Sequence, residues 1–188
     1  NNSIREIYPD YDENQDKVKL VLPSNLLDKP GLNVFSLTLI RPGQPEKNKI
    51  LSPSAYLGIV AASNMKQRAR MLSLYYHAEK RNYAVIGTAN KNEHDQGFFV
   101  KYGDGGADLQ PIRHLYKSQV YQLARHLDVP ARIVERVPTT DTYSAGSTQE
   151  EFYFRVPFEL LDKIWLGMNE GMSAKEIAKD MFLSREEV

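Results

Sequence analysis

Short apolar segments alternating with amphipathic ones predict an α/β protein built on a doubly wound parallel sheet. One support is Val34 to Ile40 (VFSLTLI), near-continuously apolar as a strand covered on both faces must be. Another is residues 83–127, where an apolar strand, a polar loop, a glycine turn and a helix follow one another. That order places ligand-binding groups at the carboxyl ends of parallel strands, and it points to a nucleotide.

The elements follow in order. Residues 1–16 are polar, lack periodicity and read as a surface connection. Val18, Leu20 and Leu22 alternate with lysines in a strand ended by Pro23. After the second strand, the prolines of residues 41–54 predict a loop. A helix is expected over 64–80, with Met65, Ala69, Leu72 and Tyr76 on one face and Lys66, Arg68 and Arg70 off it. Tyr83 to Ile86 is the third strand. From Lys117, the residues Val120, Leu123, Ala124 and Leu127 have helical spacing that stops near Asp128-Val129-Pro130. Phe158, Leu161, Trp165 and Met168 form the stripe of a further helix. Ser173 and Glu176 make a capping box for another that carries Ile177, Ala178 and Met181. Ser184 and Glu187 repeat that box just before Val188, and only two strands precede the first long helix. The expectation is one domain over residues 1–188, incomplete at its N-terminus and part of a longer chain.

Composition narrows the class. Lys+Arg 24 balances Asp+Glu 24, so no net field favours nucleic acid or an anionic membrane. The absence of cysteine removes thiolate metal sites and cysteine nucleophiles, and it fits a reducing compartment. No apolar run approaches the ~20 residues of a membrane span. A soluble, cytoplasmic protein is expected.

The chemistry concentrates between Gly87 and Lys117. Glu93 lies where the chain leaves the sheet edge after Ile86; it suits a magnesium ligand on phosphate oxygens, or equally a solvated loop acid. Asp104 and Asp108 flank the glycines of GDGGAD, which permit positive φ and close backbone approach. These acids suit an amine or polar ring substituent; the alternative is a sharp turn with solvated carboxylates. Lys117 opens a helix whose terminal N–H groups already favour phosphate, although exposed lysines are common. Thr139 sits in a hydroxyl-rich loop open to phosphate contact or plain helix capping. Arg68 suits a forked contact to phosphate or carboxylate, or simple solvation. His77, His94, His114 and His126 lack partners at metal-ligand spacing and read as loop residues.

Taken together, NMKQRARM, VIGTANKNE, GFFVKYGDGGAD, LYKSQV and VPTTDTY, with QEEFYF more loosely, resemble the ammonia-dependent NAD synthetases of the N-type ATP pyrophosphatase superfamily. The resemblance implies an adenine nucleotide alpha hydrolase-like sheet. It implies amidation of deamido-NAD with ammonia through an adenylylated intermediate, giving NAD, AMP and pyrophosphate. By position, Thr88 and Lys117 match ATP contacts and Thr139 a residue near its phosphates. Glu93 matches a Mg²⁺ ligand. Arg68, Lys101 and Asp108 match deamido-NAD contacts, and Asp104 an acid at the reacting end. A homodimer is implied as well. The SGGxDS phosphate loop and a C-terminal Lys-Arg segment of that family do not occur in the sequence, so weak or no turnover is expected of the chain alone. Lack of cysteine makes ammonia the expected nitrogen source. The competing readings are another ATP pyrophosphatase with a different acceptor, and a non-catalytic nucleotide-binding or dimerisation module.

Overall fold

The computed structural model describes residues 2–21, 35–140, 144–154 and 156–181. Its N-terminal part is an antiparallel sheet of β1 (Lys17–Val21), β2 (Ser36–Ile40) and β3 (Lys47–Ile50), ordered β1-β2-β3. Val18 lies opposite Leu39 and Leu20 opposite Leu37, so the alternation of β1 delivers its apolar side chains to one face. Leu37, Thr38 and Leu39 are all buried, as the apolar run of β2 requires.

Two expectations fail here. Residues 1–16 are not merely a connection. They form α1 (Asn2–Ile7) and send Tyr8 and Tyr11 into the core with Val18, Leu20, Leu37, Leu39, Leu51 and Ile59. The buried Tyr8 hydroxyl lies 2.8 Å from the Leu37 carbonyl and 2.9 Å from that of Lys47, so a partner accompanies its burial. The polar residues between these aromatic anchors hide them from any periodicity. Residues 41–54 likewise hold a strand, β3, with every residue exposed. Its lysines suit an edge strand, and only backbone pairing with β2 defines it. Beside it, Arg41 forks onto the buried carboxylate of Asp16, with both nitrogen–oxygen distances at 2.6 Å.

The long helix α2 (Pro53–Glu79) starts well before residue 64. Ser52 Oγ accepts the Ala55 N–H, and Pro53 occupies the first turn, where its missing N–H costs nothing. Of its side chains only Ile59 and Ala78 are buried. Met65, Leu72 and Tyr76, expected on a core face, are exposed.

Tyr83 to Ile86 contributes one isolated parallel bridge, Ile86 to Leu109, rather than a full strand. Among the described residues the ladders are antiparallel: the three-stranded sheet, and β4 (Thr139–Thr140) with β5 (Ser147–Thr148). The protein is therefore α/β. The doubly wound parallel sheet is represented among those residues by that bridge alone. An apolar strand pairs along its length only where neighbours flank it, and here Tyr83 and Ile86 stay exposed.

The remaining elements are helical: α3 (Lys91–Asp95), α4 (Lys117–His126), α5 (Ala131–Val134), a π-helical turn over Glu150–Phe154, α6 (Phe158–Asn169) and α7 (Ala174–Met181). Helices α4 and α6 pack together through Tyr116 and Trp165, and Gly167 lets α6 approach Ile177 of α7. The Ser173–Glu176 capping box forms as expected: Glu176 accepts the Ser173 N–H at 2.8 Å and Ser173 Oγ accepts the Glu176 N–H at 3.3 Å. The Ser184–Glu187 pair and the Pro23 strand end lie outside the described residues.

Candidate functional site

Glu93 is built into α3 by a local signal. Asn90 caps the helix, its Oδ1 accepting the Glu93 N–H at 3.0 Å, while Glu93 Oε2 accepts the Asn90 N–H at 3.1 Å. This reciprocal box occupies one carboxylate oxygen and fixes the direction of the other. Toward Oε1 come Gln149 Nε2, a donor at 3.3 Å, and Lys117 Nζ at 3.6 Å. The Glu93 and Lys117 side chains are each only 15% exposed, so their attraction is screened less than a surface pair's. Lys117 Nζ also lies 5.5 Å from the centre of the Phe158 ring. Gln149 Oε1 is buried without a hydrogen-bond partner.

The start of α4 differs from the expectation of terminal N–H groups free for phosphate. Lys117 N–H donates to Asn92 Oδ1 at 2.9 Å, and Ser118 N–H donates to Asp162 Oδ2 at 2.8 Å. Asn92 Nδ2 donates in turn to Asp162 Oδ1 at 2.5 Å. Both side chains are buried, Asn92 completely, so the positive end of α4 is already answered by an internal carboxylate. An anion in this region would meet the Lys117 ammonium, not the first N–H groups of the helix. Asn92 and Asp162 were not anticipated. The available signal was Asp162 itself, a charge directly after Leu161 in the apolar stripe of α6.

The glycine turn forms a second group against α2. Arg68 Nε donates to the Lys101 carbonyl at 3.0 Å, and Tyr75 OH donates to Asp108 Oδ1 at 3.2 Å. Asp108 Oδ2 accepts the Val85 N–H at 2.7 Å, and Asp104 Oδ1 accepts the Val100 N–H at 2.9 Å. Burial, then the Asp108 contact, raises the Tyr75 hydroxyl above its ordinary pKa. Lys101 Nζ stands 5.1 Å from the Tyr102 ring centre. The expected positive φ falls on Tyr102 (64°), not on a glycine of the turn. Close approach is what the glycines provide: a Cβ on Gly105 would sit 2.4 Å from a Phe99 ring carbon.

Six of the eight residues expected to act together thus fall into two groups: Glu93 with Lys117, and Arg68, Lys101 and Asp108 with Asp104 on the same turn. Segment 85–90 links them. Val85 holds Asp108, Gly87 N–H donates to the Leu109 carbonyl at 2.7 Å, and Asn90 holds Glu93. Thr88 is exposed within that segment. Thr139, exposed in β4, pairs with Thr148 beside Gln149, so its hairpin leads to Glu93.

No cluster of three His, Asp or Glu side chains able to hold an ion occurs among the described residues. The loop placement expected for the histidines holds for His114, which sits in a turn, but His77, His94 and His126 lie in α2, α3 and α4. There His94 meets Asp95 and stacks on Phe99, and His77 meets Arg81. No described helix is long and apolar enough to cross a membrane.

Comparison with known proteins supplies the family. The sequence model described as NAD synthase matches residues 32–188. The NH(3)-dependent NAD(+) synthetase of Rhizobium meliloti (strain 1021) is 52% identical over 176 residues, covering 94% of this chain and 52% of that protein. That of Thermotoga maritima (strain ATCC 43589 / DSM 3109 / JCM 10099 / NBRC 100826 / MSB8) is 36% identical over 163 residues, covering 86% and 57%. Among solved structures, the NMN synthetase from Francisella tularensis superposes with a TM-score of 0.54 at 38% identity, covering 58% of this chain and 45% of that one. The chain spans about half the length of the curated relatives it matches. With the family match running from β2 past α7, and with half of all aligned positions identical in a relative, this chain belongs to the NAD synthase family.

Proposed function

We propose that the chain forms the nucleotide-handling half of an ammonia-dependent NAD synthetase. Such an enzyme activates the carboxylate of deamido-NAD with ATP and amidates it with ammonia, yielding NAD, AMP and pyrophosphate. The observation that carries the reading is the Glu93–Lys117–Gln149 arrangement, a charged, partly buried set that α3, α4 and the β4–β5 hairpin bring to one place. The curated relatives' names support the same reaction.

In this reading Lys117, braced over Phe158, places a cation against the phosphates of ATP, with Thr88 and Thr139 as hydroxyl contacts. Glu93 Oε1 offers a carboxylate oxygen to Mg²⁺, and the unpartnered Gln149 Oε1 beside it suits the hydration shell of such an ion. Magnesium, when bound, neutralises charge between phosphate oxygens. Arg68 and Lys101, joined at the Lys101 carbonyl, supply cations to deamido-NAD, and Asp108 orients it. Asp104, pinned to its own turn by the Val100 N–H, stands at the reacting end, where ammonia must outcompete water. The wider proposal covers a doubly wound parallel sheet in the complete fold, and a cytoplasmic homodimer. The exposed apolar side chains of Met65, Leu72 and Tyr76 suit a subunit contact.

Titration calorimetry tests this directly. Mg-ATP and deamido-NAD should each bind the chain. Glu93→Gln should remove most of the Mg²⁺ dependence of ATP binding, and Arg68→Ala should weaken deamido-NAD about tenfold while leaving ATP unchanged, the scale of one charge-assisted contact. Binding of neither nucleotide would overturn the proposal. A mononucleotide acceptor is the second reading, favoured by the similarity to the Francisella tularensis NMN synthetase. Preference for the mononucleotide in direct competition would select it.

A further inference from the structure

The family match begins at residue 32, which leaves α1 and β1 outside it. Yet β1 directly grips a segment that the family match includes. Val18 N–H donates to Ser144 Oγ at 2.9 Å, and Ala145 N–H donates to the Val18 carbonyl at 3.1 Å. Both backbone groups of Val18 that face away from β2 are therefore used on residues 144 and 145. The grip is rigid at its base. Val18 is buried in the core, β1 is laddered to β2 along its whole length, and Asp16 just before it is locked by Arg41.

From Ser144 and Ala145 the chain turns at Gly146 (φ 61°) into β5, which pairs with β4 and ends beside Gln149. Gln149 N–H closes the hairpin on the Pro138 carbonyl at 3.0 Å, and its side chain donates to Glu93 Oε1. A ladder of two residue pairs is marginal by itself. Its position therefore needs an outside anchor, and the contacts with Val18 provide one.

We infer that the N-terminal β1 strand is an anchor for the β4–β5 hairpin, and that Ser144 is a positioning residue. By holding the hairpin, it sets Gln149 against Glu93 and presents Thr139 to the same site. Ser144 touches no substrate in this role; it acts through the hairpin. The consequence for nucleotide binding rests on the reading given under Proposed function, whereas the mechanical claim does not.

The experiment separates these two layers. In the 188-residue chain, amide hydrogen exchange is followed at Val18, Ala145 and Gln149 for the unchanged protein, Ser144→Ala and Ser144→Thr. Loss of one hydrogen bond should speed exchange at Ala145 and Gln149 about fivefold in Ser144→Ala. Ser144→Thr, which keeps a hydroxyl, should restore protection. The midpoint of global unfolding should move little. Unchanged exchange at Gln149 in Ser144→Ala would overturn the inference, as would equal acceleration throughout the β1–β2–β3 sheet, which would mark a merely structural role. Mg-ATP affinity is then read on the same three proteins. Weakening of about three- to tenfold in Ser144→Ala, with recovery in Ser144→Thr, is expected. If the unchanged chain binds no Mg-ATP while the exchange pattern holds, the nucleotide reading fails and the anchor stands.

Discussion

Replacing Asn92 with alanine probes the junction that aligns α3, α4 and α6. The side chain is completely buried and serves two partners: Nδ2 donates to the Asp162 carboxylate, and Oδ1 accepts the Lys117 N–H. The first bond goes to a charged acceptor and the second joins two neutral groups. Their loss, with an unmet N–H left behind, should cost about 3 kcal/mol. With a urea slope of roughly 2 kcal/mol/M for a domain of this size, the unfolding midpoint should fall by about 1.5 M. Trp165, the single tryptophan, lies on α6 against Tyr116 and Lys91, so its fluorescence reports this junction. A companion change, Asn92→Asp, keeps the shape but sets a second carboxylate against Asp162. Like charge disfavours ionisation and raises at least one carboxyl pKa. A raised folded pKa makes this variant lose stability as pH rises above the ordinary carboxylate range and recover it on acidification. The alanine variant should show no such recovery. A loss below about 1 kcal/mol for Asn92→Ala, or a pH-independent loss for Asn92→Asp, would refute the view that this buried network organises the α4 terminus.

Other consequences can be checked on the same protein. The Arg41 hydrogen bond to Asp16 depresses the Asp16 pKa to about 2. The stability it contributes is present above the unfolded carboxylate value near 4 and is lost as pH falls through about 2. Thermal unfolding followed from pH 5 to pH 2 should show that decline, and Asp16→Asn should flatten it while lowering stability at neutral pH. Gly105→Ala should cost about 1–3 kcal/mol because the new methyl meets the Phe99 ring; adding Phe99→Ala should return part of that loss in a double-mutant cycle. The Glu93→Gln and Arg68→Ala titrations complete the set, one reading Mg²⁺ dependence and the other the dinucleotide.

What could be read from the chain by itself was local. The Ser173–Glu176 box, the helical spacing after Lys117 and the crowded glycine turn all depend on residues a few positions apart, and all appear in the fold. The Asn90–Glu93 box was equally available to such a reading, as was the Ser52–Pro53 helix start. The motif resemblance reached the family for the same reason: its matches are short contiguous strings. Tertiary structure decided what no spacing encodes. Asn92 meets Lys117 across 25 positions, Asp162 meets Ser118 across 44, and Asn92 meets Asp162 across 70. Those contacts turned an expected phosphate-ready helix end into a satisfied one. Tyr8 looked like part of a surface connection because residues 1–16 as a whole are polar and lack periodicity, and β3 looked like a loop because an exposed edge strand buries nothing. Hydrophobic patterning registers burial of regular faces; lone anchors and backbone pairing leave no trace in it.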